Sequence, residues 1–278
     1  MDRATSTIAD WLQYCKLYYS PSTLQNYAAI MHHVNAFLTQ SEKNLLQASS
    51  SDILSFANHY LSQKNCRRVD EKIKARSANV QLTAIKSFFR WYAKQDNGFN
   101  PAAEIAFFKE QPAKQRCLSV IEYKSVLDVA KPIERDAIQF LCNTGLRAAE
   151  FRAIRPEHIN KDLKYISILG KGNKSRIVPL NQVVRDIISK SPHLPFVERF
   201  HGSRQLYTLC EKLSYRAKIP RFGPHACRHF FATRLIVSGV PTTIVAKILG
   251  HSSSKFTERV YCHLAPTDIL GVTEFLRL

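Results

Sequence analysis

The chain has 278 residues, of which 45% are hydrophobic and 22% are charged, with 40 Lys and Arg against 22 Asp and Glu. This length and apolar content predict two ordinary domains, or one unusually large domain, with a sizeable buried core, and the composition excludes a disordered tail or a fibrous protein. The net charge of +18 favours a polyanionic partner, with nucleic acid as the first candidate. Because no apolar run is long enough to span a bilayer and the first residues lack a secretion pattern, a cytoplasmic location without membrane contact is expected.

The first hundred residues predict helices. Ser20 and Pro21 form a typical helix start, and apolar residues follow at three- and four-residue steps as far as Leu38. Two further helices are expected, over 51–61 and around 80–92, and the sequence carries no strand signal in this part.

A polar, Pro-containing segment at 109–118 predicts a linker between a helical domain at 1–108 and a second domain at 119–278. Ser119 and Glu122 form a capping box that opens the second domain. Residues 1–108 hold 12 Lys and Arg against 8 Asp and Glu, so the second domain carries most of the positive charge. Two basic domains on a polar linker suggest a clamp that closes around a DNA duplex.

The second domain is predicted to be mainly α with a small β-hairpin, an α+β class. Two β-rich runs, 165–169 and 176–180, flank a turn of Gly and Lys residues that includes Lys171. The basic tip can reach a phosphate backbone, although on this feature alone a solvated turn that happens to be basic is slightly favoured. Helices are expected near 182–190, 203–217, 225–238 and 241–249.

Four segments carry side chains suited to phosphate chemistry. Arg147 opens a helix with Glu150 one turn later, which also describes an ordinary helix salt bridge. His225 and Arg228 are three residues apart on one helix and can together bind a phosphate. His251 and Tyr261 complete the set. Because the chain has eleven tyrosines, nothing about Tyr261 on its own singles it out as a functional residue.

A zinc site is the competing interpretation of the histidines. Three of the candidate ligands, Cys227, Cys262 and His263, lie beside the residues named above. The spacing matches no familiar zinc pattern, and Arg228 among the ligands would repel a cation. The seven cysteines include no CxxC pair, so neither a zinc ribbon nor a disulfide framework is expected.

Taken together, these segments resemble the tyrosine recombinase (phage integrase) family, and the compact length is most similar to Xer-type recombinases and transposon resolvases. The matching phrases are Thr-Gly-Leu-Arg-x-x-Glu, Gly-Lys-Gly-Asn-Lys, His-x-x-Arg-His, Leu-Gly-His-Ser and Tyr-x-His. The resemblance covers the whole chain, with 1–108 as the core-binding (SAM-like) domain and 119–278 as the catalytic domain. The spacing from His251 to Tyr261 is one residue longer than is usual in Xer-like members.

The resemblance implies strand cleavage and rejoining through a 3′-phosphotyrosyl bond to Tyr261, without metal, ATP or another cofactor. The implied catalytic residues are Arg147, Lys171, His225, Arg228, His251 and Tyr261, with Glu150 orienting the site. The implied partner is a double-stranded recombination site bound by a tetramer of two dimers. Residues 266–278 would link its subunits, with packing on their own domain as the alternative, and accessory proteins are a possible further partner.

Three other functions compete with recombination. A type IB topoisomerase uses similar phosphate chemistry, but the helical N-terminal domain favours a recombinase. A non-catalytic DNA-binding protein is disfavoured because every expected catalytic position is filled. An RNA-binding protein is the most distant alternative, since the aromatic residues are spaced for helix cores.

Overall fold

A computed structural model describes residues 3–65, 68–72, 75–95, 98–110, 116–169, 175–202 and 204–250. The chain divides into two compact units, Met1–Ala113 (the N-terminal unit) and Lys114–Leu278 (the C-terminal unit). Among the helices in these ranges, none is long and apolar enough to cross a membrane.

The described part of the N-terminal unit contains four α-helices. Ser20 accepts a hydrogen bond from the backbone N–H of Thr23, which confirms the predicted helix start. Ser49 and Asp52 form a second, reciprocal cap. The helices are α1 (Arg3–Cys15), α2 (Pro21–Gln40), α3 (Ser50–Ser62) and α4 (Ala75–Gln95).

An aromatic cluster forms the centre of the N-terminal core. Trp11 is fully buried, stacks on Tyr27 with ring centroids 5.3 Å apart, and meets Phe88 edge to face at 5.5 Å. Burial of each such side chain stabilises the fold by about 1.5–3 kcal/mol. The predicted stripe on α2 faces this core, whereas Val80 on α4 is 45% exposed and lies outside it.

The expectation that this unit has no strands is wrong. β1 (Lys64–Asn65) and β2 (Arg68–Lys72) pair antiparallel, with Lys64 opposite Lys72. The residues are mostly charged, so the segment has no alternating apolar pattern by which a strand is recognised. Backbone hydrogen bonding between the two strands therefore forms this ladder without an apolar signal.

The C-terminal unit confirms the predicted mainly α class with one hairpin. The capping box at Ser119 and Glu122 is present, and a short helix at 195–199 was not predicted. The elements are α5 (Val120–Val129), α6 (Pro132–Thr144), α7 (Ala148–Ala153), β3 (Tyr165–Leu169), β4 (Ser175–Pro179), α8 (Gln182–Lys190), α9 (Pro195–Arg199), α10 (Gln205–Arg216), α11 (Pro224–Val237) and α12 (Thr242–Leu249).

Helix α6 is the centre of this unit and packs on α8, α9 and α11. Its Phe140 ring meets Phe151 and Phe196 at centroid distances of 6.0 and 5.1 Å. Strands β3 and β4 pair antiparallel, and Ile166 and Ile168 point into the core. This packing brings the end of α6, the start of α7 and the end of α12 to one place.

Candidate active site

A glycine turn places Arg147. Helix α6 ends at Gly145, whose φ of 63° lies in the left-handed region that favours glycine. A Cβ at Gly145 would lie 2.4 Å from Cδ1 of Phe231 and 3.0 Å from Cδ2 of Leu249. The chain therefore turns tightly against α11 and α12, and Arg147 becomes the residue that caps α7.

Glu150 is the anionic centre of the site. Its Oε2 accepts from the backbone N–H of Arg147 at 2.8 Å, and its Oε1 accepts from Nη1 of Arg147 at 2.7 Å. Arg176 on β4 donates to both oxygens, at 2.9 and 2.8 Å. Nη1 of Arg228 lies 3.9 Å from Oε2 of Glu150. Three arginines therefore converge on one carboxylate.

The end of α12 completes the arrangement. The last carbonyls of a helix have no partner within it and carry partial negative charge. Here successive carbonyls accept from three different arginines: Ile248 from Nε of Arg176 at 2.8 Å, Leu249 from Nη2 of Arg228 at 2.6 Å, and Gly250 from Nη2 of Arg147 at 3.1 Å. The next residue in the chain is His251.

The electrostatics of this cluster favour an anionic ligand. Burial alone would raise the pKa of Glu150, but the hydrogen bonds from Arg176 and from the Arg147 backbone outweigh it, and the pKa falls to about 2. Glu150 is thus ionised at neutral pH, and with three guanidiniums the set keeps a net positive charge. The Arg147 side chain is 39% exposed, against 11% for Arg176, so Arg147 offers donors to a ligand in solution.

Helix α11 carries the histidines beside Arg228. His225 lies on the first turn of α11, and its ring centroid is 5.9 Å from that of His229. Burial and the positive charges of Arg228 and Arg147 lower the pKa of His225. Burial, then His225 and Arg228, lower the pKa of His229 to about 4. Both rings are therefore neutral at neutral pH and can each donate and accept a hydrogen bond.

The structure brings together Arg147, Glu150, Arg228 and His225 of the predicted set. Lys171, His251 and Tyr261 lie outside the described residues, as does the segment 266–278. Within the described ranges, no group of three His, Cys, Asp or Glu residues could hold a metal ion.

Arg176 was missed as a site residue by the sequence analysis. It pairs with Ile168 across the hairpin and therefore occupies an inward-facing register position next to Val178. A charged residue at an inward position of a strand needs a buried counter-ion. An arginine at an inward position, where the alternating pattern calls for an apolar residue, was the signal in the sequence that could have identified Arg176.

Comparison with known proteins identifies the family. Residues 116–268 match the phage integrase family, and residues 8–96 match the phage integrase N-terminal SAM-like domain. The tyrosine recombinase XerD of Rhizobium meliloti (strain 1021) is 27% identical in an alignment 278 positions long, which covers 87% of this chain and 85% of that protein.

Solved structures share the fold. XerH recombinase bound to its difH substrate aligns with a TM-score of 0.73 at 16% identity, over 99% of this chain and 96% of that one. A lambda integrase from a tetramer on a Holliday junction aligns with a TM-score of 0.69 at 16% identity, over 92% and 76%. With the family match covering more than half of its length, the chain belongs to the phage integrase family of tyrosine recombinases.

Proposed function

We propose that this tyrosine recombinase cleaves and rejoins DNA at specific sites through a covalent bond between Tyr261 and a 3′ phosphate. The observation that carries the proposal is the arginine cluster around Glu150, in which the Arg147 guanidinium reaches solvent. A phosphodiester gains negative charge on its non-bridging oxygens as a nucleophile attacks. Guanidiniums stay protonated at any working pH and present forked donors, so Arg147 and Arg228 suit that charge.

The remaining roles follow from the family resemblance. The Tyr261 oxygen attacks phosphorus, the bond between phosphorus and the 5′ oxygen breaks, and Lys171 supplies a proton to the leaving oxygen. His225 and His251 donate to the phosphate or accept the Tyr261 proton. Attack by the 5′ hydroxyl of a second strand reverses these steps and reseals the DNA. The bond energy is conserved, so ATP is not needed, and the guanidiniums neutralise the charge on the phosphate without a metal.

The proposed partner is a double-stranded recombination site bound by a tetramer. Two structural neighbours were solved on DNA, XerH bound to its difH substrate and lambda integrase as a tetramer on a Holliday junction. The basic charge of the chain supports salt-sensitive binding to DNA. The biological role falls among integration, excision, and resolution of DNA elements or chromosome dimers, with accessory proteins assisting at the site.

A covalent-trapping assay tests the chemistry. Wild type, Tyr261→Phe and Tyr215→Phe are mixed in EDTA with nicked duplexes tiled across the DNA that flanks the gene. Tyr215 is 87% exposed on α10 and serves as the matched control. We expect a DNA-linked band on denaturing gels for wild type and Tyr215→Phe only. Salt-sensitive binding of wild type to a duplex without any covalent band would refute the proposal.

Truncation tests the subunit linkage. Deleting residues 266–278 is expected to reduce recombination between two sites far more than binding to a single site. Equal loss of both activities would contradict the role assigned to this segment.

A further inference from the structure

We propose that Arg176 is a positioning residue of the recombination reaction, which holds Glu150, and through it the Arg147 guanidinium, against the end of α12. The claim that Arg176 affects the reaction rests on the proposed function. The claim that it holds Glu150 and the end of α12 rests on the geometry alone. Arg176 belongs to β4, yet its hydrogen bonds go to α7 and α12. One side chain therefore ties three separate segments of the C-terminal unit together.

The guanidinium of Arg176 bonds in three directions. Nη1 and Nη2 donate to the two oxygens of Glu150, while Nε donates to the carbonyl of Ile248. This forked pairing with a carboxylate is geometrically specific, and a lysine ammonium cannot reproduce it. Because the side chain is only 11% exposed, solvent cannot replace these bonds freely.

The backbone at the end of α12 fits closely around Arg176. Gly250 has a φ of +67°, and a Cβ there would lie 3.0 Å from Cδ and 3.1 Å from Nε of Arg176. The left-handed turn immediately before His251 therefore brings the backbone into close approach with this guanidinium. Replacing Arg176 is therefore expected to alter the backbone conformation at Gly250.

Arg147 depends on Arg176 because they share the same carboxylate. Oε1 of Glu150 receives one bond from the side chain of each arginine, while Oε2 receives one from Arg176 and one from the Arg147 backbone. Without Arg176, Glu150 loses two hydrogen bonds and a buried counter-ion, and it can rotate. Arg147 is partly exposed, so its hydrogen bonds to this carboxylate and to the Gly250 carbonyl, rather than core packing, set its orientation.

The test uses substitutions that separate positioning from stability. Arg176→Met keeps the length of the side chain and removes the fork, whereas Arg176→Lys keeps the charge. Arg216→Met is the matched control, since Arg216 forms a similar ion pair with Glu134 in the same unit, apart from the Glu150 cluster. Single-turnover formation of the covalent complex is measured against protein concentration on a nicked duplex that wild type cleaves.

For Arg176→Met, we expect the rate constant at saturation to fall roughly 100-fold, because small misplacements of catalytic groups cost about that much. The half-saturating concentration should change by less than about threefold, and Arg176→Lys should recover part of the rate. In the Glu150→Gln background, Arg176→Met should add little, since both act through one carboxylate. A folded Arg176→Met protein with a wild-type rate constant would overturn the inference.

Hydrogen exchange tests the geometry independently of catalysis. Arg176→Met should increase amide exchange in residues 242–250, and Arg216→Met should leave that segment unchanged. If wild type formed no covalent complex, the proposed function would fail, while the exchange result would still decide whether Arg176 holds the end of α12. Unchanged exchange in both variants would refute this part of the inference.

Discussion

Replacing Glu150 by Gln removes the negative charge on which three arginines converge. Gln resembles the protonated acid in shape, so the substitution measures how much the ionised carboxylate stabilises the fold. The hydrogen bonds that outweigh burial lower the Glu150 pKa from 4.5 to about 2. Linkage converts this difference into roughly 3 kcal/mol of stability at neutral pH. The Glu150 side chain is 10% exposed, which leaves little solvent screening to weaken the effect.

The sign of the pH dependence follows from the lowered pKa. Glu150 contributes its full stabilisation above the unfolded value of 4.5 and loses it as the pH falls towards about 2. The stability gap between wild type and Glu150→Gln should therefore be about 3 kcal/mol at neutral pH and half that or less at pH 3.

Urea unfolding measures the gap at each pH. Both tryptophans, Trp11 and Trp91, belong to the N-terminal unit, so their fluorescence follows that unit, while circular dichroism follows the helices of both. We expect the substitution to move the dichroism transition of the C-terminal unit by about 1 M urea or more. Equal stability of the two proteins at neutral pH, or a gap that stays constant down to pH 3, would refute the reasoning.

Three further predictions concern backbone geometry, a buried amide and a histidine. Gly145→Ala should destabilise the protein by about 3 kcal/mol, because an alanine there adds left-handed strain and overpacking. Gly239→Ala is the control and should cost about 1 kcal/mol, because Gly239 has a φ of +82° but open space around it. Equal thermal unfolding midpoints for the two variants would contradict this prediction. Asn79→Ala should lower the free energy of unfolding by about 1–3 kcal/mol, because the Asn79 side chain hydrogen-bonds both the N–H and the C=O of Phe108. Urea unfolding followed by tryptophan fluorescence measures this change, and an unshifted midpoint would disprove it. His225 should titrate below 6.5 by NMR and shift upward on binding of DNA phosphate, which offsets the nearby arginines; a value at or above 6.5 without DNA would argue against this environment.

Local chemistry allowed much of the fold to be predicted from the sequence. Ser20, Ser119 and Glu122 satisfy backbone groups within a few residues of themselves, so the starts of α2 and α5 follow from local spacing. The family resemblance placed Arg147, Glu150, His225 and Arg228 in one site, and their catalytic roles stay predictions.

Tertiary structure decided what local spacing cannot encode. Arg176 meets Glu150 and Ile248 across 26 and 72 positions, and Arg147 meets Gly250 across 103. These partners become neighbours only when α6, α7, α12 and the hairpin pack around one core. The sequence by itself predicted most of the helices, the β3–β4 hairpin and a set of side chains suited to phosphate chemistry, but it missed α9 and the β1–β2 pair. The packed fold determined which carboxylate and which backbone carbonyls hold those cations, because burial is what forces each charge to find a partner.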